Sequence, residues 1–161
     1  MMAWGISRFF VLPAALSPDE IYTLTGKLYG RSLENIEKIM GKPGESQLSN
    51  WYIWKIKHKT TRENYLENVI VCVFEGEICA ATWYTEIYSD EVSASSRYDK
   101  ILKNLSKKLG NPVKDIRGLD SWVEKEQKIM ITKMPIKEKG IISVNFFIHR
   151  KNFLLPLPEM Q

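Results

Sequence analysis

Five consecutive residues, Ile70-Val71-Cys72-Val73-Phe74, are apolar without a break. A strand that is apolar on both faces belongs in the middle of a sheet covered on at least one side. The run starts at Val69 and leads through Glu75-Gly76 into a second β-rich run, Ile78 to Tyr88, so the two read as a hairpin. Upstream, Trp51 to Thr60 alternates: Tyr52, Trp54 and Ile56 fall on one face, and Trp51, Ile53, Lys55, Lys57 and Lys59 on the other. That is the pattern of a half-buried strand. A polar stretch, Thr60 to Glu67, separates it from the hairpin.

Helices are signalled around this sheet. Ser17-Pro18-Asp19-Glu20 combines a serine cap, proline at the first helical position and a glutamate placed to close a capping box. Ile21, Leu24 and Leu28 give that helix one apolar face, and Gly30 ends it. Ser32 caps a shorter helix with Leu33, Ile36 and Met40 on its apolar side, closed by Gly41 and Pro43. In the second half, Ser93 to Ser96 reads as the cap of a longer helix with the stripe Tyr98, Ile101, Leu102, Leu105 and Leu109, stopped by Gly110 and Pro112. Trp122 to Lys133 and Ile141 to Lys151 follow as long strands joined through Met134 to Gly140. In the last, Ile142, Val144, Phe146 and Ile148 face one way and Ser143, Asn145 and His149 the other.

These elements predict an α+β fold: an antiparallel sheet with short helices on one face. With 161 residues, 44% apolar and 26% charged, the chain suits a single domain over 1–161 that needs neither metal nor disulfide. The formal charge of +4 comes from 23 basic and 19 acidic residues. They are interspersed, which is too mild and mixed to dictate a nucleic-acid partner. No apolar run is long enough to span a membrane. The N-terminus has the outline of a signal peptide, but Pro13 interrupts it, and Phe9 to Leu12 is read instead as a first strand. Cys72 and Cys79 face each other if Glu75-Gly76 forms the turn; as two small buried hydrophobes they fit a reduced cytoplasm better than a bridge. Secreted or periplasmic placement stays open.

Setting Gly41 on Gly110 brings Leu33, Ile36 and Met40 onto Leu102, Leu105 and Leu109, and Pro43 onto Pro112. Each half, 17–90 and 93–151, then runs helix, Gly-x-Pro stop, tryptophan-bearing strand and two further β segments, as two tandem αβββ repeats would. The stretch Gly30-Arg-Ser-Leu-Glu-Asn-Ile-Glu-Lys-Ile-Met-Gly-Lys-Pro, with the Trp51 strand and the Val71 to Ile78 hairpin, resembles the repeat of beta-lactamase inhibitory proteins and of small outer-membrane assembly lipoproteins. The resemblance covers about half the chain and lacks the lipoproteins' acylated N-terminal cysteine. It implies a module that binds other proteins and carries no binding residue over by position.

Catalytic signatures are sparse. His58 and His149 have no helically spaced partner for zinc and read as surface strand residues. The cysteine spacing suits neither a redox Cys-x-x-Cys pair nor a metal knuckle. The glycines at 26, 30, 41 and 44 follow helices, whereas a phosphate cradle opens one. Glu86, Asp90 and Glu91 read as a solvated loop before a helix, so no cofactor or metal is expected. The candidate surface is Trp51, Ile53, Lys55, Lys57 and Lys59. Tryptophan is a preferred anchor at protein interfaces, tryptophan with lysine also suits nucleic acid, and lysines also protect an edge strand. The expected function is a non-enzymatic protein-binding module of inhibitor, immunity or adaptor type, with a small basic nucleic-acid-binding protein as the alternative.

Overall fold

The computed structural model describes residues 11–12, 16–46, 48–58 and 68–153. In chain order the elements are β1 (Val11–Leu12), α1 (Pro18–Leu28), α2 (Leu33–Met40), β2 (Trp51–His58), β3 (Asn68–Glu75), β4 (Ile78–Tyr88), α3 (Glu91–Leu109), β5 (Val113–Lys114), β6 (Asp120–Glu124), β7 (Gln127–Ile136) and β8 (Ile141–Arg150). The strands form one sheet in the order β1-β2-β3-β4-β8-β7-β6-β5. Among the described strands β1 joins in parallel and the other pairings are antiparallel. The fold is therefore α+β, with the helices on one face.

Local chemistry sets the helix ends. The Ser17 hydroxyl accepts from the Glu20 N–H at 3.1 Å, and Ser32 accepts from Asn35 at 3.3 Å, satisfying amides that have no partner inside the helix. α3 starts earlier than the serine-rich stretch suggests: Asp90 caps it, its carboxylate accepting from the Ser93 N–H at 2.7 Å. Between α1 and α2 the chain turns at Gly30, whose φ of +79° is natural to glycine. The freed backbone pairs with the start of β4: the Gly30 N–H donates to Cys79 O at 2.9 Å, and the Cys79 N–H to Arg31 O at 2.8 Å.

Ile21, Leu24 and Leu28 of α1, Ile36 of α2, and Ala94, Ile101 and Leu105 of α3 bury against Trp54, Ile56, Ile70, Phe74, Tyr84, Trp122, Ile129, Ile131, Val144, Phe146 and Ile148. Each large apolar side chain so buried stabilises the fold by about 1.5–3 kcal/mol before entropy is counted. The tryptophan strands also carry a polar latch. Trp54 Nε1 donates to Gly41 O at 3.0 Å, and Trp122 Nε1 donates to Gly110 O at 2.8 Å. Both glycines end a helix, at φ +82° ψ −168° and φ +85° ψ −173°, a region open essentially to glycine alone. Three residues past each glycine the chain pairs with the residue before the tryptophan, Gly44 with Ile53 and Val113 with Ser121. The strand order is symmetric too, with β4 and β8 central and the tryptophan strands β2 and β6 flanking outward.

Several expectations are corrected. Trp122 to Lys133 is not one strand but the hairpin β6–β7, which turns at Lys125 with φ +55°. Neither glycine nor asparagine marks that turn. The β7–β8 ladder continues to Ile136↔Ile141, so the Met134 to Gly140 connection shrinks to the 3₁₀ turn Lys137–Lys139 and Gly140. The β3–β4 turn falls one residue later, with Glu75 opposite Ile78, and a bulge between Val73 and Phe74 shifts the register again. Cys72 consequently faces Thr82, while Cys79 faces Phe74; both cysteines are free and buried. Of the expected strand Phe9 to Leu12, only Val11 and Leu12 are described, and Thr60 to Glu67 lies outside the described residues.

Candidate binding face

On the face turned away from the helices, three side-chain rungs cross the sheet. Trp51, Val73, Ala81, His149 and Lys128 form the first; Ile53, Val71, Trp83, Phe147 and Met130 the second; Lys55, Val69, Thr85, Asn145 and Thr132 the third. The alternation in β2 thus places Trp51, Ile53 and Lys55 at the head of successive rungs. Trp51 and Ile53 are half-buried and Lys55 is exposed. Lys57 continues β2 beside Val11, and Lys59 lies outside the described residues.

Aromatic rings hold the middle of this face. Trp83 stacks on Phe147 with centroids 5.4 Å apart and planes at 25°. Trp51 meets Trp83 edge-on at 6.2 Å and 81°, a favoured geometry for rings with negative faces and positive edges. The Trp83 indole is fixed by a bond from Nε1 to Asn145 Oδ1 at 2.9 Å. The Asn145 amide in turn donates to Thr132 Oγ1 at 3.1 Å and Ser143 Oγ at 2.9 Å. A buried amide satisfied on both ends orients its neighbours as a unit. Phe147, Met130 and Val71 beneath are themselves buried, so the face is a second apolar layer whose half-buried rings are Trp51 and Trp83.

Charges gather at the β7 side. Asp115 accepts from the Arg117 guanidinium at 2.9 Å and lies 3.4 Å from Lys128 Nζ; the Leu119 and Arg117 N–H groups also donate to it. Burial pushes its carboxyl upward, but these bonds outweigh that and hold it at about 2. The Arg117 guanidinium also rests on Met130 Sδ at 3.2 Å. His149 is buried, a correction to its reading as a surface residue. Its Nδ1 lies 2.7 Å from Arg150 O, and burial, with the Lys128 and Arg117 charges, lowers its pKa below 6.5.

Acidification therefore weakens the fold in two steps. A group whose pKa is depressed in the folded chain stabilises above its unfolded pKa, and that stability goes as pH falls. His149 gives a loss beginning as pH drops below 6.5; Asp115 gives another from 3.8 down through about 2. Thermal unfolding followed against pH is expected to show both, His149→Gln removing the upper descent and Asp115→Asn making the lower one shallower, since Asp19, Asp90, Glu91 and Asp120 are also held below their ordinary values and contribute to it. An unchanged slope between neutrality and mild acid in His149→Gln sinks the assignment.

The remaining expected features resolve differently. Glu86, expected in a solvated loop, is a fully buried residue of β4 paired with Arg97. Asp90 caps α3, and Glu91 binds Lys133. Among the described residues no group of three or more His, Cys, Asp or Glu is placed to hold a metal ion, and no helix is long and apolar enough to cross a membrane. Reading β2 alone missed Trp83, Phe147 and Asn145. The available signal was the alternation in β8, where Phe147 falls between Asn145 and His149. In comparisons with known proteins, no family model, curated protein or solved structure matches this chain.

Proposed function

We propose that the chain is a non-enzymatic protein-binding module that engages a protein partner through the sheet face carrying Trp51, Ile53, Lys55 and Trp83. The observation that carries this reading is the Trp51–Trp83–Phe147 ring series on the face opposite α1, α2 and α3. Rigid, half-buried tryptophans present large contact area at little entropic cost, which is why they anchor interfaces. The charge pattern favours protein over nucleic acid, because Arg117 and Lys128 on this face are paired with Asp115 and so have less to gain from displacing phosphate counterions. The two halves are read as copies of one αβββ unit, in keeping with their matching glycine–tryptophan latches. An inhibitor, immunity or adaptor role follows from the resemblance to the repeats of beta-lactamase inhibitory proteins.

The test is affinity capture from the native host on immobilised chain, washed at low and high salt with and without nuclease. One stoichiometric protein that survives nuclease and salt is expected. Trp51→Ala should weaken its binding by about 30-fold, the effect of losing a 2 kcal/mol hot spot. Capture that depends wholly on nuclease-sensitive material ends the protein-binding reading and leaves the nucleic-acid one.

A further inference from the structure

We propose that Cys72 and Cys79 are a thiol pair that closes to an intramolecular disulfide when the chain meets a low-molecular-weight disulfide such as oxidised glutathione. They are the chain's two cysteines, on neighbouring antiparallel strands, both on the helix-covered face and both fully buried. The bulge at Val73/Phe74 removes Cys79 from the rung of Cys72, yet its side chain leans back along β4. Cys79 Sγ bonds Ala81 O at 3.3 Å and lies 3.7 Å from Thr82 Oγ1. Thr82 is the residue directly opposite Cys72, so the Cys79 sulfur reaches the rung that Cys72 occupies. Each thiol perturbs the other's ionisation there, Cys72 being pushed up and Cys79 down.

That contrast also divides their roles. Donation by Cys72 holds the Cys79 thiol below the ordinary cysteine value, and the thiolate is the attacking species. Cys79 attacks one sulfur of the small disulfide, forming a mixed disulfide and expelling one thiolate. Cys72 then attacks Cys79 Sγ and expels the second. The protein loses two electrons and two protons, and the small disulfide becomes two thiols. Access comes from the turn: Glu75, Gly76, Glu77 and Ile78 are all exposed, and Cys79 is the next residue. Opening it breaks the two backbone bonds between Cys79 and Gly30-Arg31, so the folded chain should react more slowly than the unfolded one.

The full chain is equilibrated at neutral pH across ratios of reduced to oxidised glutathione, starting both from folded protein and from reduced, denatured protein refolded in the same buffer. After acid quench it is denatured, alkylated and weighed intact. Oxidising buffer should yield a monomer lighter by two hydrogens and bearing no alkyl group; reducing buffer should yield two alkyl groups. Cys72→Ser and Cys79→Ser should each abolish the lighter species. Two alkyl groups at every ratio in the refolding arm, or only glutathione adducts and cross-linked dimers, overturn the proposal.

Discussion

Replacing Arg97 with alanine is expected to destabilise the fold by about 3–5 kcal/mol, because it leaves a carboxylate buried without its counter-charge. In a chain of this length that is a drop in Tm of roughly 6–20 °C. The carboxylate is that of Glu86, which is fully buried. It accepts from Arg97 Nε at 2.7 Å and Nη2 at 2.9 Å, from the Tyr84 hydroxyl at 2.6 Å and from the Tyr88 hydroxyl at 2.9 Å. Burial first, and then the Glu86 charge, push both tyrosines well above their usual pKa; they remain donors at any ordinary pH. Arg97 further donates to the Leu16 carbonyl, tying the segment before α1 to α3 and the sheet. The double variant Glu86→Gln with Arg97→Met removes both charges and should lose less than Arg97→Ala alone. A loss under about 1 kcal/mol in the single variant, the range of an exposed pair, would show that the network is not desolvated as described.

Trp54→Ala and Trp122→Ala should each cost about 3–5 kcal/mol, the usual loss on emptying a core aromatic site. The two costs should also be similar, because each ring is about 95% buried and each indole binds the carbonyl of a helix-ending glycine. Phenylalanine at either position keeps most of the packing and removes one hydrogen bond, about 0.5–1.5 kcal/mol. The low end is expected, since Gly41 and Gly110 are exposed and water can replace the indole. Equilibrium urea unfolding of the four variants measures this. One alanine variant within about 0.5 kcal/mol of the parent, the level of a surface change, would show that the two glycine–tryptophan latches are not equivalent.

Much of this architecture was legible in the residues. Ser17-Pro18-Asp19-Glu20 marks a helix start because capping is decided by neighbours a few positions apart. The alternation through Trp51 to Ile56 placed Trp54 toward the core and Trp51 away from it because successive strand side chains point to opposite faces. The β6–β7 turn was hidden because Lys125 adopts a left-handed conformation that its type does not announce. The bulge at Val73/Phe74 was hidden as well, and with it the true neighbours of Cys72 and Cys79.

Local pattern alone determined where α1 and α2 begin, and which side of β2 faces inward; periodicity and capping act over a few residues, so the chain carries them in plain order. Only the tertiary structure decided that Glu86 and Arg97 are buried together, that His149 is covered, and that Trp51, Trp83 and Phe147 form one series of rings. Those outcomes depend on which strands become neighbours and in what register, a choice made by packing the whole core at once.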